Sequence, residues 1–104
     1  MRQIKTALSR GERELARHID GGIRQFVITL RRAGVETFES CEGGRGHAFP
    51  DPTIRFHGDS GEGFRAVGIA LTHGLPVLHL RRTYTVSDSV LAGPYWELTF
   101  RSKA

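Results

Sequence analysis

Residues 53–76, TIRFHGDSGEGFRAVGIALTHGLP, change their hydrophobic period halfway along, and that change decides the fold class. Ile54 and Phe56 alternate with Thr53, Arg55 and His57, the two-residue period of a strand with one buried face. Past the turn Gly58-Asp-Ser-Gly61, the residues Phe64, Val67, Gly68 and Leu71 recur at the spacing of one helix face. Asp59 with Glu62 three positions later reads as a capping box, and His73-Gly74 with Pro76 just beyond reads as a helix end. A strand and a helix of opposite periods, joined by a tight turn, point to a mixed fold.

Working outward, Leu15, Ile19, Ile23, Phe26, Val27 and Leu30 predict one N-terminal helix, capped by Ser9 with Glu12 completing the box and ended by Gly34. Gly21-Gly22 falls in its middle at about 1 kcal/mol per glycine relative to alanine, which predicts a kink, a close helix–sheet contact or a break. Residues 35–40, 76–86 and 95–101 read as further strands, the last two joined by Ser87-Asp-Ser89 and Gly93-Pro94. The order α-β-β-α-β-β predicts an α+β two-layer sandwich, with helices on one face of a mainly antiparallel four-stranded sheet. Phe38, Ile54, Phe56, Leu78, Leu80, Trp96, Leu98 and Phe100 are expected to meet the helices. The other face is expected to carry some of Arg55, His57, His79, Arg81, Tyr95, Glu97, Thr99 and Arg101.

The 104 residues, 38% apolar and 25% charged, suit a single domain over 1–104 that folds alone or as a homo-oligomer. No run of about 18 apolar residues occurs and Met1-Arg-Gln-Ile-Lys5 has no apolar core, so neither a membrane span nor a secretory signal is expected, and the expected compartment is the cytoplasm. Cys41 is the sole cysteine, which excludes an intramolecular disulfide and any multi-cysteine zinc site.

The net charge is +4, and thirteen of the fifteen bases are arginine, Lys5 and Lys103 being the exceptions. Arginine's planar fork suits phosphate and carboxylate, so the bias hints at anion recognition, although high-GC codon usage produces it too. Residues 1–33 carry eight bases against three acids, whereas residues 34–64 carry two against six. Arg10, Arg17, Arg24 and Arg31, spaced by seven on the expected helix, would form a basic row able to track a nucleic-acid backbone or meet a protein partner, or simply a solvated face.

The acidic middle contains Thr37-Phe-Glu-Ser-Cys-Glu-Gly-Gly-Arg-Gly-His47, where three glycines within four positions would let backbone N–H groups converge on an anion. Ser40, Cys41, Glu42, Gly43, Gly44, Arg45, Gly46 and His47 are the candidate ligand-binding residues, with Arg55 and His57 adjoining from the sheet. The loop fits neither the Walker nor the dinucleotide pattern, and Arg45 stands too close to Cys41 for a phosphatase-type loop. Cys41 as nucleophile with His47 as base is a second reading, in which Glu42, Glu39 or Asp51 would orient the imidazole. Metal ligation through Cys41, His47, His57 and His79 matches no recognised spacing, so no metal and no cofactor are expected. Only Tyr95 is placed for base stacking on the sheet, which makes nucleic acid the less favoured partner. His73 and Trp96 are accounted for by helix capping and core packing.

At Ser40-Cys-Glu-Gly-Gly-x-Gly-His47, with Pro50, Pro52, Gly74-Leu-Pro-Val77 and Gly93-Pro-Tyr-Trp-Glu97, the chain resembles a family of small bacterial proteins of unassigned activity carried by prophages and other mobile elements. The likeness covers roughly residues 30–101 and implies a cytoplasmic, phage-derived protein acting against a host system. The same segment is faintly similar to the Ser-Cys-Ser-Gly-Arg stretch of the wybutosine-synthesis methyltransferase family, but Glu42 and Gly43 stand where that pattern has Ser and Gly. The expectation is therefore a non-catalytic binding protein for a small anionic ligand, a nucleotide or nucleotide-derived signal. In it the 43–46 amides would hold phosphate, Arg45 and Arg55 would neutralise it, and His47 or His57 would donate a hydrogen bond.

Overall fold

The computed structural model describes residues 8–102, so Met1–Lys5 and Lys103 of the sequence reading lie outside it. The elements are α1 (Arg10–Ala16), α2 (Arg24–Arg32), β1 (Glu36–Cys41), β2 (Thr53–His57), α3 (Glu62–Thr72), β3 (Val77–Ser87) and β4 (Val90–Phe100). The four strands form one antiparallel sheet in the order β1-β2-β4-β3, and the helices pack on one side of it, a small α+β fold. Among the described residues no helix is long and apolar enough to cross a membrane.

The single N-terminal helix expected from the periodicity is two helices. Ser9 caps α1 with the reciprocal Glu12 contact that the sequence predicts, but the helix stops at Ala16 and α2 starts only at Arg24. The break falls over Gly21-Gly22 and has a tertiary cause. The Gly22 N–H donates to Glu42 Oε1 at 2.8 Å, and a β-carbon on Gly22 would crowd that carboxylate. The apolar stripe survives the break because Ile23, Val27 and Leu30 all reach the core.

The core joins these residues to Val35, Ile54, Phe56, Ala66, Ala70, Trp96, Leu98 and Phe100, with Phe26 against Phe100 at 4.6 Å between ring centres. Three sequence expectations about this core shift. Helix α3 presents Gly63, Ala66 and Ala70 to the sheet, while Phe64 and Leu71, expected inward, are exposed. The reason is Trp96. Its ring lies so close over Gly63 that any β-carbon there would collide with it, and its indole N–H donates to the Asp59 carbonyl at 2.8 Å. A large ring lodged against the helix requires the small face rather than the bulky one. Phe38 and Leu78, also expected inward, are exposed because register irregularities between Thr37 and Glu39 and between Val77 and His79 each insert one residue. Val77 takes the core place that alternation assigned to Leu78. Finally, β4 begins at Val90 rather than near residue 95. The two-residue turn Asp88-Ser89, both at positive φ, closes a long β3–β4 hairpin whose far half exposes Tyr84, Val86, Val90 and Leu91.

Candidate functional site

The sheet face turned away from the helices is organised in rows that run across the strands. In the central row Glu39, Arg55, Glu97 and Arg81 stand opposite one another on β1, β2, β4 and β3. Arg55 donates from Nε to Glu97 Oε2 at 2.9 Å and from a terminal nitrogen to Glu39 Oε1 at 2.8 Å. Arg81 Nε donates to the other Glu97 oxygen at 2.9 Å. The Arg55 guanidinium also lies over the Phe49 and Tyr95 rings, 4.8 and 5.2 Å from their centres. Burial opposes its charge, but the Glu97 hydrogen bond and the nearby Glu39 carboxylate outweigh that and hold its pKa above the ordinary value. Every charge in this row has its partner. The group expected to neutralise a phosphate is already neutralised.

One row along, His57 stacks on Phe38 at 4.3 Å and Phe38 meets Tyr95 edge-on at 5.3 Å. The bulge that expels Phe38 from the core thus builds an aromatic end where the sequence suggested Tyr95 alone. His57 belongs to this end, not to the glycine loop.

At the opposite end of the face, β1 finishes at Cys41 opposite Thr53, with Cys41 buried. The loop that follows is folded on itself. Gly43 has φ +79° and packs backbone to backbone on Asp51 and Pro52, where a side chain would collide. The Gly44 N–H donates to the Pro50 carbonyl at 2.9 Å, and the His47 N–H donates to the Gly44 carbonyl at 3.1 Å. Two of the amides expected to converge on an anion therefore bond within the loop itself. Ser40 pairs with Ile54 and, by strand alternation, faces the helix side, away from Cys41. Arg45 and Gly46 are exposed at the loop's outer turn.

This fold of the loop lays Glu42 and His47 against the turn between α1 and α2. Besides holding the Gly22 amide through Oε1, Glu42 places Oε2 3.4 Å from His47 Nε2. Asp20 accepts the Glu42 N–H at 3.3 Å through Oδ2, the same oxygen that lies 3.8 Å from His47 Nδ1. Asp20, Cys41 and His47 each offer one donor atom to a common space, the three lying within 4.8 Å of one another. Cys41 and His47 are thus brought together. The acid that accompanies them is Asp20, which no sequence motif marks, with Glu42 second; Glu39 is engaged with Arg55 instead. Asp20 is 21 residues from Cys41, and its one local signal is that it introduces the Gly21-Gly22 break. Glu97, the anchor of the central row, was legible only as one residue of an alternating strand.

The helix expected to carry the arginine row is broken in two. The break separates Arg10 and Arg17 from Arg24 and Arg31, and most of these side chains are engaged locally. Arg24 donates to the Ile19 carbonyl at 3.2 Å, Arg31 to the Thr37 carbonyl at 2.9 Å, and Arg17 lies 3.4 Å from Glu14. Arg10 is exposed at the start of α1.

No family model, curated protein or solved structure matches this chain.

Proposed function

We propose that this chain is a non-catalytic binding protein whose guest lodges where the 41–47 loop closes on the α1–α2 turn, and that the guest carries positive charge. The observation that carries this reading is the convergence of an Asp20 oxygen, the Cys41 sulfur and a His47 ring nitrogen on one space, with the Glu42 carboxylate on the far side of the imidazole. Two carboxylates beside one imidazole favour a cation and disfavour a phosphate. The anionic guest suggested by the glycines would need amides that Gly44 and His47 spend inside the loop, and a cation at Arg55 that Glu39 and Glu97 already hold. A role against a host system rests on the prophage resemblance alone, and no residue of this site argues for it.

Thermal unfolding in the presence of separate nucleotides, divalent cations and organic ammonium ions tests the reading. Stabilisation by cations that is lost in Asp20→Asn and His47→Ala is expected. Stabilisation by a nucleotide that Arg45→Ala removes, with every cation silent, would restore the anion reading.

The same convergence favours a second reading, in which Cys41 is a nucleophile, His47 takes its proton and Glu42, beside the other ring nitrogen, orients the imidazole. Intact-mass analysis after incubation with an activated ester decides it: a Cys41 acyl adduct that His47→Ala slows supports catalysis, and an unmodified thiol rejects it.

A further inference from the structure

We infer that the guest is a single zinc-class divalent ion, ligated by Asp20, Cys41 and His47, with Glu42 holding the imidazole from behind; this assignment rests on the cation-site reading above. The donor set is the first argument. A thiolate, an imidazole and one carboxylate form the mixed sulfur, nitrogen and oxygen set that borderline-soft ions such as zinc take, whereas magnesium and calcium require oxygen throughout.

The second argument is metric. Bond lengths of about 2.0–2.3 Å in a tetrahedron set neighbouring donor atoms roughly 3.3–3.6 Å apart. Here the facing His47 Nδ1 and Asp20 Oδ2 atoms are 3.8 Å apart, and the donors of all three residues lie within 4.8 Å. Asp20 and His47 both have solvent beside them, so their side chains have room to turn toward an ion.

The third argument is the arrangement behind the donors. A ligating histidine characteristically donates its second ring N–H to a carboxylate, which fixes the ring and its tautomer. Glu42 Oε2 stands 3.4 Å from His47 Nε2, and Glu42 is itself fixed through the Gly22 N–H. A ring that donates from Nε2 to Glu42 would keep Nδ1, on the Asp20 side, for an ion. Gly22 and Glu42 therefore support the site from a second layer, and the helix break becomes part of its construction. Three protein donors leave a fourth position for water or an exogenous donor, so the site is open rather than closed.

Cobalt(II), which substitutes for zinc in such sites and is coloured, provides the test on the full chain. Titration of the reduced protein is expected to give a thiolate-to-cobalt charge-transfer band that saturates at one equivalent and is removed by zinc. Cys41→Ser should abolish the band, and Asp20→Asn and His47→Ala should each weaken binding at least tenfold. Glu42→Gln should keep the band while weakening affinity about 10–100-fold, as expected of a supporting carboxylate. Far-ultraviolet circular dichroism of each metal-free variant must match the parent; Asp20→Asn, an exposed isosteric change, keeps the test open if another variant unfolds. A band absent from the parent, or one that persists in both Asp20→Asn and His47→Ala, overturns the assignment. If cobalt and zinc fail while organic ammonium ions still stabilise the protein, the cation site stands without the metal. If all cations fail, both fall together.

Discussion

The central row of the sheet and the cluster at the α1–α2 turn carry almost the same chemistry and use it in opposite ways. In the central row Glu39, Arg55, Glu97 and Arg81 meet through hydrogen bonds of 2.8–2.9 Å, and the Glu97 carboxylate accepts on both oxygens while almost fully buried. At the β1 end, Asp20, Glu42 and His47 approach one another only to 3.3–3.8 Å around a buried thiol. A saturated polar network specifies a structure, while one whose donors converge and stop short leaves room for a guest. The comparison predicts that stability and binding will separate by mutation. The largest effect is expected at Glu97. Glu97→Gln strips charge from the acceptor shared by half-buried Arg55 and by Arg81, and should cost about 3 kcal/mol in urea unfolding while leaving cobalt binding within twofold. A loss under about 1 kcal/mol would show that the row is decoration rather than structure.

Gly43, in the loop that runs from β1 to β2, comes next in size. Replacing it with alanine combines positive-φ strain with a backbone collision at Asp51 and Pro52. A loss of about 2 kcal/mol is expected. Because the loop must open to relieve the collision, cobalt binding should fall as well, unlike in Glu97→Gln. Equal binding in Gly43→Ala and the parent would mean that the donors converge without the loop's fold.

Smaller again is the clamp that spans the helix break. Glu12 caps α1 and also accepts from Arg32 Nε at 2.7 Å across the gap to α2. The Arg32 hydrogen bond, followed by that from the Ser9 backbone, lowers its pKa from an ordinary 4.5 to about 2, and Arg65 shifts Glu62 in the same direction. A carboxylate shifted downward contributes stability above its unfolded value and loses it as pH falls through the folded one. Thermal midpoints should therefore drop between about pH 4.5 and 2, and Glu12→Gln should flatten part of that drop while Glu62 retains the rest. Identical acid limbs in the two proteins would remove the clamp from the account of the break.

The period change over residues 53–76 made the strand, the helix and the α+β class readable, and Ser9 with Glu12 made the first cap readable, because these signals are local. What escaped was set by contacts distant in sequence. The α3 face is chosen by a tryptophan 33 positions from Gly63, and the helix break is fixed by Glu42, 20 positions from Gly22. Phe38 and Leu78 followed the alternation rule until a one-residue irregularity reversed it, and nothing in their own neighbourhood announces a bulge. The site divides in the same way. Cys41, Glu42 and His47 were readable as a group because seven residues contain them, whereas Asp20 reaches them only through the turn it introduces.

His47 gives the smallest stability effect and the sharpest form of the comparison. Its ring is partly exposed, its nearest polar atoms are 3.4 and 3.8 Å away, and no described hydrogen bond of the fold depends on its side chain. Truncation should therefore leave metal-free stability within about 0.5 kcal/mol of the parent, the range of surface substitutions. The main-chain bond from its N–H to Gly44 survives the change, so the loop keeps its shape. In the presence of zinc the parent should be stabilised and His47→Ala should not, so the two melting curves coincide without the ion and diverge with it. A large loss in the metal-free protein would mean that the imidazole holds the loop to the α1–α2 turn, and the cluster would then belong with the saturated row as structure.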